Sequence, residues 1–424
     1  MRIYLDSIGC RLNQSEIEKY AIEFRTYGHT LVAKVEDADL AVINTCTVTA
    51  AAASDSRQKL RKALQDHHVK VVATGCLTAI EPGLFSGGDH SPQVIPNLLK
   101  NDLVKLVLGE LNDNTPPGRI PIPGGRTRTR AFIKAQDGCN NFCTFCITRI
   151  ARGKAVSVPS EIVKEDIRTA LRGGVKEVVL TGVHLGSWGS DLEPGTHLTQ
   201  LVEDVTSIVG DFRIRLSSVE PWDLHPEFFQ LWLKDERLCR HFHLPLQSGS
   251  SGTLRRMARN TTPEKYTALI RSIRAALPDV TITTDVIVGF PGESNEEFTK
   301  SLELVRDIGF DGGHVFTYSS RECTPAARYS DQIPLSVKKE RSQRMRMVLS
   351  ESGMEIRKRW LHQVVPVLWE GMRKTGENEW KVAGLTTNNH RVVTRIDRVV
   401  TNQVLSARLL EVTDEGFLGE IVTP

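Results

Sequence analysis

The chain has 424 residues, 25% of them charged, and a formal net charge of +3. That length can bury the cores of two or three domains, and so mild a basic balance permits nucleic-acid binding without arguing for it. Eight cysteines are too few for a disulfide scaffold in a chain this long.

No apolar stretch approaches the length of a membrane span, and MRIYLDSIGC reads as a short charged strand rather than a signal peptide. A cytoplasmic protein with no membrane association is expected. Residues 1–112 alternate strand-like and helix-like runs. RIYLDSIG precedes the amphipathic NQSEIEKYAIEFRTYG, ADLAVINT precedes SDSRQKLRKALQDHH, and KVVATG follows. This is the pattern of an open parallel α/β sheet. Cys10, Cys46 and Cys76 each sit just past the end of one of those strands. The carboxyl ends of the strands form the ligand crevice in such sheets, so the three thiols should converge. A single buried cysteine is usually a small core residue. Three at equivalent strand ends read instead as a metal site, with an iron left open for want of a fourth ligand.

Residues 113–129 contain NTPPGRIPIPGGRTRT, a composition that resists regular structure and marks a linker. Arg126, Arg128 and Arg130 form a charged run that is either solvated or set against phosphates. From 130 to 355 the alternation returns. AFIKAQ, EVVLTG, FRIRLSS, HFHLPLQ, TITTDVIVGF and GGHVFTYS predict six strands of an incomplete parallel αβ barrel. Directly after the first of them comes Cys139-x3-Cys143-x2-Cys146. Three thiolates at this spacing reach three corners of a [4Fe-4S] cube and leave the fourth iron open. A zinc knuckle would require another Cys or His nearby, and a ferredoxin site a further Cys-Pro; residues 147–160 hold neither Cys nor His. Active sites of parallel barrels lie at the C-terminal ends of the strands, where this triplet falls. The stretch VKKERSQRMRMVLSESGMEIRKRW predicts a basic helix, either a solvated connector or an RNA-facing surface. Residues 356–424, with QVVPVLWEG, EWKVAGLT, HRVVTRI, QVLSARLLEV and FLGEIV, predict a small all-β barrel.

The cysteine triplet with Phe145 before its last member resembles the signature of radical S-adenosylmethionine (SAM) enzymes. With both triads placed, the whole chain resembles a methylthiotransferase of that class, which joins an N-terminal three-cysteine domain, a radical SAM barrel and a C-terminal TRAM barrel associated with RNA. Gly9-Cys10-Arg11-Leu12-Asn13-Gln14-Ser15-Glu16, Asn44-Thr45-Cys46-Thr47-Val48-Thr49 and Leu180-Thr181-Gly182-Val183-His184-Leu185-Gly186 are similar to the subgroup acting on N6-threonylcarbamoyladenosine in tRNA. Sister enzymes act on isopentenyladenosine in tRNA or on a ribosomal protein side chain. An iron–sulfur RNA-binding protein without catalysis is the alternative of another class.

The resemblance implies transfer of a methylthio group to C2 of N6-threonylcarbamoyladenosine next to the anticodon, with two [4Fe-4S] clusters and two SAM molecules. The cluster on Cys139, Cys143 and Cys146 would pass an electron to SAM, releasing a 5′-deoxyadenosyl radical; that on Cys10, Cys46 and Cys76 would hold the sulfur. It further implies an electron donor such as a flavodoxin or ferredoxin and a separate sulfur source. Contacts to SAM are implied for Phe145, Thr181, Gly182, Val183, Ser217, Ser218, Glu220, Gln247 and Ser248, and for the segment from Asp285 through Gly289 to Glu293. Arg152 and Gly153 are further candidates for SAM or substrate. Arg341, Arg344, Arg346, Arg357, Lys358 and Arg359 would meet RNA. Arg149, Cys323 and His390 depart from the family pattern, and Cys239 reads as a core residue.

Overall fold

The computed structural model of the protein describes residues 1–84, 90–109, 120, 129–376 and 379–422. Of the expected linker, only Ile120 and Thr129 fall among them; Arg126 and Arg128 lie outside. The N-terminal sheet is wholly parallel. Its spatial order is Thr30–Val32, Arg2–Ser7, Leu40–Thr45, Lys70–Gly75, Gln93–Val94. This order reverses direction between Arg2–Ser7 and Leu40–Thr45, and the crevice outside the strand ends at such a reversal is where open sheets bind ligands. Leu40–Thr45 is buried along its whole length, as a central parallel strand must be. The helix Arg11–Thr26 covers the sheet with Ile17, Tyr20, Ala21 and Phe24, apolar residues three and four apart. It also packs against the strand Arg130–Lys134, which begins the next unit.

That unit is the expected six-stranded barrel. Arg130–Lys134, Glu177–Thr181 and Arg213–Leu216 form one parallel sheet; His241–His243, Thr281–Val288 and Gly312–Thr317 form another. Parallel bridges from Ile214 to Leu238 and from Ser218 to His243 join the two into one open barrel. Period-two alternation divides its residues. Ala131, Ile133, Val178, Leu180, Ile214 and Leu216 pack outward into the core with the helices. The alternate positions face the lumen, and most are polar: Arg130, Glu177 and Arg213 in one row, then His241, His243, Thr283, Asp285 and His314, with Phe132 and Val179 an apolar pair among them. Ser294 and Glu297 close a capping box at the start of the helix Asn295–Ile308, fixing the connection between the last two strands.

The helix Leu335–Lys358 leads into a closed barrel of Val364–Lys374, Trp380–Thr386, Arg391–Ile396, Gly416–Ile421 and Gln403–Thr413. This small barrel sits against the N-terminal ends of the large barrel's strands. Arg215 donates to the carbonyls of Thr387 at 3.1 Å and Thr386 at 3.0 Å, and Arg213 to that of Leu385 at 3.0 Å. Arg213 and Arg215 also grip Glu177, which is completely buried. The turn at 385–388 is therefore the floor of the lumen. Cys239 lies beside these groups in the core, as expected. No helix among the described residues is long and apolar enough to cross a membrane.

Two basic-surface expectations are corrected. Arg341 is buried, with its guanidinium on the Glu293 carboxylate at 2.7 Å, so it does not meet RNA. Arg357 is half-buried and donates to the carbonyls of Asp311 and Asp414. His390 is likewise internal, its ring packed between Trp360 and Phe417 with its Nε2 unpartnered. Burial pushes its pKa down to about 3, helped by the positive charges of Arg357 and Arg215. An unfolded histidine titrates near ~6.5. Between those values the unfolded chain binds a proton that the folded chain refuses, so stability falls as pH drops through that window. His390→Phe, which keeps the ring stack, is expected to lose less melting temperature than wild type between about pH 7 and about pH 5. Equal losses in the two proteins would contradict this account.

Candidate active site

The three N-terminal cysteines do converge on the crevice at the reversal of strand order. Gly9 holds φ +96, and a Cβ there would lie 2.5 Å from the Cys46 Sγ, so the Cys10 loop closes directly onto Cys46. Ser56 fixes that second loop, accepting from the Cys46 N–H and donating to its carbonyl, both at 2.9 Å. Cys76 starts the short helix Cys76–Ile80 at the end of the next strand. Burial pushes its thiol up to about 11, and Arg152, hydrogen-bonded to it, opposes that. Burial raises the Cys46 thiol as well, and Cys10 adds to the effect.

The second triad is built on the loop after Arg130–Lys134. Asn141 N–H donates to Cys139 Sγ at 3.4 Å, Cys139 N–H donates to the Gly153 carbonyl at 3.1 Å, and Cys146 N–H donates to the Cys143 carbonyl. Arg259 donates to Cys143 Sγ at 3.6 Å while its guanidinium holds both oxygens of Glu220. Burial pushes the Cys143 thiol up to about 11, against the pull of Arg259. His184 stands over Cys139, with its Nε2 at 2.6 Å from Asp223. Burial would lower the imidazolium, but Asp223 and Cys139 hold its pKa up at about 10.

Both triads have the character a cluster needs: three thiols gathered past strand ends, Cys46 and Cys76 buried with Cys10 exposed at the rim, Cys139, Cys143 and Cys146 part-buried, and each triad with an arginine at hand to offset thiolate charge. Among the described residues no three His, Cys, Asp or Glu groups are arranged around a single-ion position. Thiolates bound to three different irons stand further apart than ligands of one ion. The six cysteines would hold two clusters.

Between the triads lies a buried ionic knot that sequence reasoning missed. Arg152 donates to Glu16 at 3.1 Å, Asp137 at 2.9 Å and the Asn13 side chain at 2.5 Å. Lys100 reaches the same two carboxylates at 2.7 Å, and Lys134 completes the set. Burial would raise Glu16, but Arg152, Lys100 and Lys134 hold it at about 2. Arg152 is thus engaged on the side of the first triad, contrary to its expected contact with SAM or substrate.

The other expected residues sort by place. Thr181, Gly182 and Val183 end the second barrel strand; a Cβ on Gly182 would come 3.0 Å from Gln136, whose Oε1 accepts the His184 N–H. Ser217 is buried with its Oγ unpartnered, and Ser218 is exposed. Gln247 adopts φ +64 and bridges by backbone to Asp285 and Ile287. The Asp285 side chain turns to the lumen, 3.2 Å from His243. Ser248 is buried and bonded to Ser301. Gly289 holds φ +68 and donates its N–H to Glu293. Phe145 packs edge-on against Phe290 and anchors the cysteine loop. Arg149 lies 3.7 Å over the exposed Phe142 ring, and Cys323 is exposed on the loop whose Arg321 donates to the Val48 carbonyl.

The profile of the Radical SAM superfamily matches residues 133–305, and that of Uncharacterized protein family UPF0004 matches residues 2–89. A tRNA-2-methylthio-N(6)-dimethylallyladenosine synthase of Fusobacterium nucleatum is 34% identical, covering 98% of each chain. A threonylcarbamoyladenosine tRNA methylthiotransferase of Chlamydia pneumoniae is also 34% identical, over 98% of this chain and 97% of its own. One of the same name from Bacillus subtilis is 32% identical, over 96% and 93%. Among solved structures, the radical SAM methyltransferase TsrM of Kitasatospora setae superposes with a TM-score of 0.54 at 13% identity over 77% of each chain, a likeness of fold.

Replacing Arg152 by Met removes the knot's link to Asn13, Glu16 and Asp137 together. The expected loss is about 3 kcal/mol of unfolding free energy, read by urea denaturation. A loss under ~1 kcal/mol, the size of an exposed pair, would show the knot to be energetically idle.

Proposed function

We propose that this chain, which belongs to the radical SAM methylthiotransferase family, transfers a methylthio group to C2 of N6-threonylcarbamoyladenosine in tRNA. The observation carrying the choice of nucleoside is the inner face of the large barrel. Arg130, Glu177, Arg213, Arg215, His241, His243 and Asp285 make it largely polar and charged around the apolar pair Phe132 and Val179. A site for an apolar dimethylallyl group would bury hydrocarbon against hydrocarbon. The sequence stretches at 9–16, 44–49 and 180–186 support the same reading.

The C2–H bond of adenine is unactivated, and bound clusters with SAM supply the one-electron chemistry that it demands. The chain's own residues supply place and enclosure. Cys139, Cys143 and Cys146 would hold one cluster and Cys10, Cys46 and Cys76 the other. Arg259 fixes Glu220 and Cys143 relative to one another. Gln136 holds the turn before Cys139, donating to the Asp137 and Gly138 carbonyls. The 385–388 turn closes the lumen from below, so substrate enters from the end where the cysteines lie. Arg346, Lys358 and Arg359 remain exposed and suit the phosphates of an RNA, which position it without specifying sequence.

Nucleosides from tRNA of the source organism, with and without this gene, test the proposal. The expected outcome is specific loss of 2-methylthio-N6-threonylcarbamoyladenosine with accumulation of its precursor. Loss of the dimethylallyl relative instead would assign the sister substrate. Purified under anaerobic, reducing conditions, the protein is expected to yield 5′-deoxyadenosine from SAM, and Cys143→Ala to yield none; absence in both would favour a noncatalytic RNA-binding protein.

A further inference from the structure

Among the described residues, the charged groups of the lumen are, with one exception, closed into pairs. Arg130 is held by Glu370 at 2.6 Å, and Arg213 and Arg215 by Glu177. Lys134 belongs to the knot with Glu16 and Asp137, and Asp285 faces His243. The exception is Arg11. It follows Cys10 directly and opens the helix Arg11–Thr26, with its guanidinium 5.9 Å from the centre of the Phe132 ring. Phe132 lies on the inner face, in register with Val179. The charges that Arg11 feels are those of Arg130, Arg215, Glu177 and Asp285, all lumen groups with other partners. Among the described residues it makes no hydrogen bond or ion pair.

A part-buried guanidinium on the lumen wall, against an aromatic ring and with no carboxylate of its own, is suited to receive an anion. Its planar fork suits a carboxylate, which it binds with two parallel hydrogen bonds. Resting on the reading of the substrate given above, we infer that Arg11 is the specificity-determining residue, binding the carboxylate of the threonyl group on N6 of the substrate adenosine. Its place beside Cys10 brings the N6 substituent to the first triad. A dimethylallyl substituent offers no acceptor and would leave Arg11 enclosed and unpaired, so the same residue rejects the apolar nucleoside.

Three anticodon stem–loop RNAs test this: one with N6-threonylcarbamoyladenosine, one with its carboxyl methyl ester, and one with dimethylallyladenosine. Binding to the purified protein is read by fluorescence anisotropy, and methylthio product of the reconstituted enzyme by mass spectrometry. Wild type is expected to prefer the free acid over its ester by about tenfold to a hundredfold, the range for a charge-assisted pair. Arg11→Gln brings that ratio near one, and Arg11→Lys, with charge but no fork, falls between. Equal binding of acid and ester by wild type overturns the inference, whether or not the variant folds. So does an undiminished ratio in an Arg11→Gln protein of wild-type iron content. Methylthiolation of the dimethylallyl RNA alone would instead overturn the substrate reading itself, and the role of Arg11 with it.

Discussion

The constraint on which the rest of the structure depends is the buried knot of Arg152, Glu16, Asp137, Lys100 and Lys134. Glu16 lies on the first helix, two turns beyond Cys10. Asp137 lies two residues before Cys139, and Arg152 on the short helix Thr148–Arg152 that follows Cys146. The same ions therefore clamp the loops of both triads and set the separation between them. Arg152 and Glu16 are almost wholly buried, so desolvation takes back much of their mutual attraction. What such a knot gives is a single geometry: its hydrogen bonds are met in one relative placement of sheet and barrel. Three cations meet two carboxylates there, and the excess positive charge lies against Cys76 and Cys10. Burial resists deprotonation of the Cys76 thiol, and Arg152 is the group that offsets that resistance.

A second buried network closes the opposite end. Glu177 sits at the start of its strand with Arg213 and Arg215 on either oxygen, and those arginines carry on to three successive carbonyls of the 385–387 turn. Thr281 and Asn388 add to the seam, the Asn388 side chain donating to the Asp279 carbonyl at 2.6 Å. Arginine suits this place because its several donors satisfy a carboxylate and a turn at once. The small barrel is thereby a structural part of the site, and its stacked His390, Trp360 and Phe417 hold the turn in position.

Much of this was legible in the sequence because it rests on local periodicity. The three N-terminal strands that end in cysteines, the six strands of the large barrel and the strand-end positions of both triads follow from patterns a few residues long, and the structure has them. The ion pairs were not legible. Arg152 and Glu16 are 136 positions apart, and Arg259 and Cys143 are separated by 116. A charged side chain in a polar stretch reads as solvent-facing until the tertiary fold shows what it meets. Arg341 was misplaced for that reason: its helix is basic, yet it is the residue of that helix turned to Glu293. His390 stood out in the sequence only as a departure from the family pattern; its burial between Trp360 and Phe417 depends on how the small barrel packs.

Overall similarity does not separate the two nucleosides, because relatives named for each are 34% identical along nearly the whole chain. That is what the physics of the scaffold leads one to expect. The triads, the knot and the floor serve the shared chemistry, and each of their charged groups is fixed by a partner inside the protein. Such residues set the polarity of the lumen but do not by themselves select the substituent of the substrate, since their interactions are complete without it. Discrimination must come from lumen groups whose interactions are incomplete. A carboxylate and a branched hydrocarbon make opposite demands on those groups, one for a donor and the other for dry apolar surface. Here the incomplete group is a guanidinium at the rim of the first triad, resting on an aromatic ring and facing a lumen already rich in polar atoms. An apolar ligand would strand that charge, whereas an anionic one completes it.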